Sequence, residues 1–184
     1  MTSLKLITLN VEGGKHWEEI LPFIERENPD VLCIQELFER DAEMLRARFG
    51  YVLATLPIAR RPYIPSDPDS SDWWGIGIAT KLPFQNVRKE YYYKDGEEIK
   101  EFVLGNPRGT DHQGIVWGEI VKDETSFTIG TTKFTWTPDG LPNESQDQDI
   151  VALLALLEEV PELVVCGDFN VPRGGENRIY QKLI

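Results

Sequence analysis

The feature that most constrains the fold of this chain is a set of short apolar runs, each of which leads into an acid or an amide. The runs are Leu4–Val11, Val31–Ile34 and Leu163–Cys166, and the polar residues near their ends are Asn10, Glu36, Asp168 and Asn170. Short alternating or continuous apolar runs predict buried strands. Ligand-binding groups of α/β sheets gather beyond the carboxyl ends of the strands. We therefore expect these four polar side chains to meet at one sheet edge.

Apolar residues at helical spacing separate the strand-like runs. Trp17 to Ile24 forms a helix stripe that Asn28-Pro29-Asp30 stops, and Leu37 to Phe49 forms a second stripe with Gly50 as its C-terminal cap. The segment Asn143 to Glu159 is the clearest helix of the chain. Helices therefore alternate with the apolar runs in both halves of the sequence.

A proline-rich segment and five further strand-like runs complete the pattern. Pro57 to Asp72 carries four prolines and a Ser/Asp cluster, which predicts a long loop without regular structure. The further runs are 51–56, 74–80, 85–93, 115–121 and 127–132. Because strands outnumber helices and the helices flank them, the sequence predicts an α/β fold of two face-to-face sheets with helices outside. Residues 1–184 suffice for one domain and hardly for two.

Charge and composition restrict the partners and the compartment. The chain has 31 acidic and 19 basic residues, a net charge of −12, which argues against a large non-specific duplex-binding face. No apolar run reaches the roughly 20 residues of a membrane span, and we see no secretory signal. Cys33 and Cys166 lie in apolar runs and fit a reducing compartment, so we expect a cytoplasmic protein.

A local basic patch is compatible with the acidic net charge. The candidates are Arg60, Arg61, Arg108, Arg173 and Arg178. Taken one by one, each arginine is better explained as a solvated surface charge.

The polar residues at the strand ends form a donor set made only of oxygen ligands. Two carboxylates, Glu36 and Asp168, and two carboxamides, Asn10 and Asn170, suit Mg²⁺ or Mn²⁺ and do not suit zinc. The alternative is that the two asparagines cap turns and that Glu36 begins a helix. The coincidence of all four residues at strand ends favours a site over four separate structural roles.

Five motifs, in order and spacing, resemble those of the endonuclease/exonuclease/phosphatase superfamily. They are Thr8-Leu9-Asn10, Ile34-Gln35-Glu36, Trp74-Gly75-Ile76-Gly77-Ile78-Ala79-Thr80-Lys81, Thr131-Thr132-Lys133-Phe134 and Gly167-Asp168-Phe169-Asn170. The resemblance extends from Lys5 to about Gly175. It implies a four-layer α/β/β/α sandwich of two packed mixed sheets, with the active site at one edge of the sheets.

The same resemblance implies a role for each motif residue. Glu36 would be the main metal ligand and Asn10 would support the metal or a phosphate oxygen. Asp168 would contact the metal site and orient or deprotonate the attacking water, and Asn170 would hold a phosphate oxygen. These roles suit attack on an anionic phosphate ester, which needs cationic neutralisation of its oxygens and a placed base. Arg108 and Arg173 are further candidates for binding the phosphate.

The first departure from the family pattern is at Lys133, where relatives have a histidine. Lysine can stabilise a developing negative charge, although it is a poor proton donor near neutral pH unless its surroundings lower its pKa. Lys133 is therefore a candidate catalytic residue. The alternative is that it is an inactivating substitution.

The second departure is the Ser-Asp-His motif with which the family ends, since the sequence stops at Ile184 where that region should begin. Thr110-Asp111-His112 matches the motif locally but at the wrong place in the chain, which makes His112 a candidate contact of the phosphate. A fold lacking its last strands would expose a sheet edge. Three explanations stay open: a shortened protein, a partial reading frame, and pairing of the edge with another chain.

The resemblance implies a Mg²⁺- or Mn²⁺-dependent phosphoric-ester hydrolase, with a nuclease or phosphodiesterase favoured over a phosphomonoesterase. Its partner would be a phosphate-ester substrate, with nucleic acid among the candidates. The alternative function is a catalytically inert phosphate-binding or protein-interaction module on the same fold, which Lys133 and the absent Asp-His pair favour.

Overall fold

A computed structural model describes residues 2–64, 67–172 and 177–183 of the chain. These residues form eight strands and five α-helices. The strands are β1 (Leu6–Asn10), β2 (Val31–Phe38), β3 (Val52–Ile64), β4 (Asp67–Thr80), β5 (Phe84–Tyr93), β6 (Gln113–Lys122), β7 (Thr125–Lys133) and β8 (Leu163–Asp168). The helices are α1 (Trp17–Glu27), α2 (Glu39–Phe49), α3 (Pro107–Thr110), α4 (Glu144–Glu158) and α5 (Arg178–Leu183).

The strands form two mixed sheets of four strands each. The first sheet has the order β1-β2-β4-β3 and the second has the order β5-β6-β7-β8. Each sheet contains a single parallel pair, β1 with β2 in the first and β7 with β8 in the second, and all other neighbours are antiparallel. Each parallel pair is joined by a helical crossover, α1 in the first sheet and α4 in the second.

Three buried clusters divide the molecule into four layers. Side chains of both sheets, such as Ile76 of β4 and Val116 of β6, share the cluster between the sheets. The outer face of the first sheet packs against α1 and α2, and Leu45 of α2 is fully buried there. The outer face of the second sheet packs against α4 and α5 through Ile150 and Ile179. The prediction of a four-layer α/β/β/α sandwich is therefore confirmed.

The predicted helix ends are also confirmed where the turn chemistry is local. Asn28 ends α1 in the left-handed region at φ 40°, and its N–H donates to the Ile24 carbonyl. Gly50 ends α2 in the same way at φ 69°. The Asn143 side chain caps α4 by accepting the Gln146 N–H.

The prediction of a loop at Pro57 to Asp72 was wrong, because this segment lies in the antiparallel hairpin of β3 and β4. The strand β3 is at the edge of its sheet, where a residue without an N–H is tolerated on the outward side. The pairing also shifts register after Pro57 and after Pro62, so that the prolines fall at irregularities of the ladder. Pro65 lies outside the described residues.

In the described part of the chain, no helix combines the length and the apolar character needed to span a membrane.

Candidate active site

The two parallel strand pairs, one from each sheet, present their carboxyl ends to the same end of the sandwich. Asn10 is the last residue of β1 and is paired with Gln35 of β2. Lys133 is the last residue of β7 and is paired with Asp168, the last residue of β8. Three strand ends therefore place Asn10, Lys133 and Asp168 within one small region. Glu36 joins them from within β2, which continues to Phe38, so the expectation that Glu36 follows the end of its strand was wrong.

Asn10, Glu36, Asp168 and Lys133 form one contact cluster. The Asn10 Nδ2 donates to Glu36 Oε1 at 3.0 Å and to Asp168 Oδ2 at 2.9 Å. The Lys133 Nζ lies 3.4 Å from the same Glu36 oxygen and 3.9 Å from the same Asp168 oxygen. Two donor groups, one of them cationic, thus face two carboxylates.

Asn170 lies beside this cluster and is held by the backbone around it. Its N–H donates to Asp168 Oδ1 at 3.0 Å, and its Nδ2 donates to the Phe134 carbonyl at 2.6 Å. The residue has φ 49°, which asparagine tolerates better than most residues. The structure therefore brings Asn170 together with Asp168 and leaves one amide hydrogen and the amide oxygen for other partners.

A buried hydrogen-bond bridge joins the two sheets directly beneath Glu36. The Gln35 side chain is 1% exposed, and its Nε2 donates to Thr131 Oγ1 of β7 at 2.9 Å and to Thr8 Oγ1 of β1 at 3.2 Å. Because the partners lie on both sheets, the bridge fixes β2 at Gln35 relative to β7. The sequence reasoning assigned no such role to Gln35, and its place before Glu36 was the only signal.

Backbone conformation at two positions is unusual and helps to place the carboxylates. Glu36 has φ 60° at the point where the β2–β4 register shifts, so a bulge turns its side chain out of the strand pattern. Gly167 has φ 151°, and a Cβ there would lie 2.0 Å from the Thr132 carbonyl oxygen. Only glycine therefore allows the close β7–β8 approach that sets Lys133 beside Asp168.

The cluster opens into a cleft of about 770 Å³. Its wall includes Arg61, Trp74, Phe102, Asp111 and Trp136 in addition to the cluster itself. The cleft combines the four polar groups of the cluster with aromatic surface, which is typical of a site for a small organic ligand.

Arg61 is a cation of the cleft wall that is held by two aromatic rings and one carboxylate. Its guanidinium carbon lies 3.6 Å from the ring centroids of Trp74 and of Phe102, and its Nη2 donates to Asp111 Oδ2 at 3.3 Å. Among the described residues, Arg61 Nε and Asp111 Oδ1 have no hydrogen-bond partner. Burial lowers the pKa of Arg61 and raises the pKa of Asp111, and the attraction between the two charges opposes both effects.

Arg108 lines the cleft but lies outside the cluster, and His112 lies outside both. Arg108 makes two hydrogen bonds to Asp149, at 2.5 and 2.9 Å, and its guanidinium stacks on Tyr93. His112 is 1% exposed, its Nε2 lies 3.3 Å from the Glu97 carbonyl, and its ring packs edge-on against Tyr91. Of the Thr110-Asp111-His112 match, the acid and not the histidine lines the cleft. Arg173 lies outside the described residues.

Sequence reasoning missed the pairing of Arg61 with Asp111, although it named Arg61 as one of five arginines of a local patch. The two residues are 50 positions apart, and an ion pair over that separation has no local sequence signal. The Thr110-Asp111-His112 match did mark this region of the chain, but it led to the prediction of His112 and not of Asp111 as a site residue.

The chemistry of the donor set fits a hard divalent cation. Glu36 and Asp168 offer carboxylate oxygens, and Asn10 offers an amide oxygen, which presently accepts the Glu12 N–H at 2.9 Å. Within residues 2–64, 67–172 and 177–183, no group of three or more His, Cys, Asp or Glu side chains has the arrangement of a metal site. A metal held here would therefore rely on two carboxylates together with amide oxygens or water.

Comparison with known proteins gives one family and many solved structures. The model of the endonuclease/exonuclease/phosphatase family matches residues 7–179. The human nocturnin catalytic domain with bound sulfate is 19% identical, with a TM-score of 0.68, and the match covers 97% of this chain and 67% of that one. D. rerio TDP2 with a single-strand DNA product is 15% identical, with a TM-score of 0.62 and coverages of 92% and 62%. A mannosyl-6-phosphatase of Bacteroides thetaiotaomicron is 12% identical, with a TM-score of 0.70 and coverages of 99% and 70%. The chain thus spans 62% to 70% of the lengths of these proteins, and at such identities the likeness shows the fold.

Proposed function

The chain belongs to the endonuclease/exonuclease/phosphatase family, and from that premise we propose that it is a phosphoesterase that hydrolyses a P–O bond by attack of water. The observation that carries the proposal is the convergence of Asn10, Glu36 and Asp168, whose side chains are joined by hydrogen bonds of 3.0 and 2.9 Å across the two sheets. We propose that residues 1–184 form one domain. We also propose a cytoplasmic location, in which Cys33 and Cys166 stay reduced.

Glu36, Asp168 and Asn10 would hold Mg²⁺ or Mn²⁺, the hard cations that oxygen donors prefer. Such an ion would neutralise charge on the phosphate oxygens and would lower the pKa of a water molecule bound to it. The donor chemistry and the family both support dependence on a divalent metal.

Each polar group of the cluster has a defined task in the proposed reaction. Asp168 accepts a hydrogen bond from the attacking water and orients it towards phosphorus. Asn170 has one amide hydrogen left after its bond to Phe134, and this hydrogen is available to a phosphate oxygen. Lys133 stabilises negative charge that develops on the phosphate or on the leaving oxygen.

The cleft wall adds a second cation at which a substrate anion can bind. Arg61 is held between two aromatic rings, so its guanidinium is oriented before any ligand arrives. We favour Arg61 over Arg108 as the further phosphate contact, because Asp149 already binds Arg108 through two hydrogen bonds. Arg173 and His112 stay predictions from the sequence, and His112 would need a rearrangement to reach the cleft.

The substrate is proposed only as a class. Relatives include a protein seen with a single-strand DNA product and a sugar phosphatase, so the fold serves both nucleic acid and small phosphate esters. The net charge of −12 and a cleft of about 770 Å³ favour a small or single-stranded substrate over duplex DNA. Within that class a phosphodiester is our first choice.

The second candidate function is an inert phosphate-binding or interaction module. The observation that favours it is Lys133, whose ammonium faces both carboxylates from distances of 3.4 and 3.9 Å. A positive charge at that place could replace the metal in folding without replacing it in catalysis.

The test is hydrolysis of bis(p-nitrophenyl) phosphate and p-nitrophenyl phosphate with Mg²⁺ or Mn²⁺ by the wild type, Glu36→Gln and Asp168→Asn. We expect metal-stimulated turnover of the diester and a loss of at least ~100-fold in kcat in each variant, since each removes a carboxylate that acts in the transition state. Glu43→Gln on the exposed face of α2 is the matched control and should keep full activity. Undiminished activity of Glu36→Gln would refute the site. A folded wild type without any turnover would favour the inert module.

A further inference from the structure

We propose that Lys133 is an internal counter-cation of the active site that competes with the divalent ion for Glu36 and Asp168, and that a tetrahedral oxyanion relieves this competition by taking over the ammonium. The inference rests on the proposed function, since it concerns how the proposed site binds its metal. Lys133 would thereby couple binding of the metal to binding of the substrate anion.

The backbone pairing of β7 with β8 fixes the position of Lys133 relative to Asp168. Lys133 and Asp168 are register partners in the parallel pair of β7 and β8, and the Phe134 N–H donates to the Asp168 carbonyl at 2.8 Å. The preceding pair, Thr132 and Gly167, approaches so closely that no side chain fits at Gly167. The Cα atom of Lys133 therefore lies beside that of Asp168 whichever rotamer the lysine side chain adopts.

The contacts of the ammonium are shared with the groups that would hold a metal. Lys133 Nζ lies 3.4 Å from Glu36 Oε1 and 3.9 Å from Asp168 Oδ2, and the Asn10 amide donates to the same two oxygen atoms. A divalent ion bound to these oxygens would be a near neighbour of the ammonium. The two cations would repel each other, and each would weaken the binding of the other to the carboxylates.

The surroundings of Lys133 make this repulsion matter more than it would on an open surface. The side chain of Lys133 is 11% exposed, compared with 23% for Glu36 and 25% for Asp168. The Trp74 ring covers the ammonium on one side, with 5.7 Å between Nζ and the ring centroid. Water and salt screen charges poorly in such a place, so a change of one positive charge should alter metal affinity strongly.

A substrate anion bound in the cleft would give the ammonium a partner for which it need not compete with the metal. A phosphate or sulfate in the cleft brings several anionic oxygens, which can bind an ammonium and a divalent ion at the same time. Binding of the oxyanion should therefore strengthen binding of the metal, and by thermodynamic linkage the metal should strengthen binding of the oxyanion by the same factor. In this way Lys133 makes occupation of the metal site depend on the presence of substrate.

The test is calorimetric titration of Mn²⁺ into the full chain, with and without sulfate as the tetrahedral anion and with chloride at equal ionic strength as the reference. For the wild type we expect weak Mn²⁺ binding that sulfate strengthens at least several-fold. For Lys133→Met we expect at least ten-fold tighter Mn²⁺ binding than the wild type without sulfate, and little further gain on adding sulfate. Lys133→Arg keeps the charge and should bind Mn²⁺ as weakly as the wild type does.

Lys15→Met is the matched control, because Lys15 lines the same cleft but is 69% exposed and pairs with Glu12 at 3.6 Å. It should bind Mn²⁺ nearly as the wild type does, which separates local competition from a general loss of positive charge. Equal Mn²⁺ affinity of the wild type and Lys133→Met would overturn the inference and leave the proposed function standing. Absence of Mn²⁺ binding in every folded variant would overturn both.

Discussion

At the scale of single residues, the most informative side chain is Glu36. It carries one of the two carboxylates of the cluster, yet it adopts φ 60° inside a strand, at the position where β2 shifts register. A left-handed conformation costs a residue with a side chain roughly 1–2 kcal/mol, and such strain persists at sites where function requires it. The fold therefore accepts a local cost in order to direct the carboxylate of Glu36 towards Asp168.

This strain predicts an unusual order of stability for two variants of Glu36. Both Glu36→Gly and Glu36→Ala remove the carboxylate, but only glycine adopts φ 60° without steric cost. We expect Glu36→Gly to be about 1 kcal/mol more stable than Glu36→Ala, measured as the free energy of unfolding in urea.

The control for this prediction is Lys89 on β5, an exposed strand residue that is not among those with positive φ. There the order should reverse, because glycine in an ordinary strand is roughly 0.5–1 kcal/mol less favourable than alanine. An alanine variant at Glu36 that equals or exceeds the glycine variant in stability would show that the backbone there is not strained.

At the scale of elements, a largely buried ionic network holds helix α4 to α3 and to the segment after β7, in addition to the packing of its apolar face. Asp149 is 2% exposed, accepts two hydrogen bonds from Arg108 and is also bound by the Thr135 hydroxyl. Gln146, one turn earlier, donates to the Thr135 carbonyl at 2.7 Å. The network connects α4 with the segment after β7, which forms part of the cleft wall.

We predict that Asp149→Ala is strongly destabilising, because it leaves the largely buried Arg108 charge without its partner. The expected loss is about 3 kcal/mol in the free energy of unfolding, at the lower end of the range for broken buried pairs because Arg108 is 29% exposed. Chemical denaturation followed by circular dichroism measures it.

Asp147 on the same helix provides the comparison. It pairs with Arg178 at 2.6 Å on the surface, where solvent screens the interaction, so Asp147→Ala should change stability far less. Equal effects of the two alanine variants would mean that Arg108 is not held by Asp149 in solution, and Arg108 would then regain weight as a phosphate contact.

At the scale of the whole molecule, the two sheets are joined at both ends by polar contacts in addition to the apolar layer between them. At the site end, Gln35 bridges β1 and β7. At the opposite end, the Asp30 carboxylate, just before β2, accepts the Lys5 N–H and the Lys122 ammonium of β6, both at 2.7 Å. Asp30 therefore connects the first sheet with the second.

This connection should make the stability of the molecule depend on pH in acid. Burial raises the pKa of Asp30, but the hydrogen bonds from Lys122 and Lys5 outweigh burial and leave the pKa below its ordinary value of 3.8. Because the folded-state pKa is lowered, the contribution of Asp30 is present above the unfolded-state pKa and is lost as the pH falls through the folded-state pKa.

We expect Asp30→Asn to lose about 2 kcal/mol of unfolding free energy at neutral pH, the value typical of hydrogen bonds to a charged group. The difference from the wild type should stay constant down to about pH 5 and shrink at lower pH. Asp95→Asn at an exposed position is the control and should show no such trend. A difference that does not depend on pH would mean that the Asp30 charge contributes nothing.

The sequence alone determined the features that depend on neighbours in the chain. The helix stops at Asn28 and Gly50 followed from local turn chemistry, and the apolar spacing after Asn143 predicted α4. The apolar runs predicted the strands β1, β2 and β8, and therefore which residues could meet at a site. The expectation that all three are buried was correct only for β2, because β1 and β8 are edge strands of their sheets and are half-buried. The motifs implied the four-layer fold, since motif order and spacing reflect the whole topology.

Only the tertiary structure decided which residues distant in the chain form hydrogen bonds and ion pairs with each other. Asn10 and Asp168 are 158 positions apart, and their hydrogen bond depends on the two sheets packing face to face. Through the same packing, Arg108 forms hydrogen bonds with Asp149 and His112 is buried. Lys133 lies between the carboxylates of Glu36 and Asp168. It also made a strand of the proline-rich segment, because an edge strand tolerates residues that lack an N–H. Local patterns carry no information on which of several charges meets which, since that choice depends on distance and burial in the folded chain.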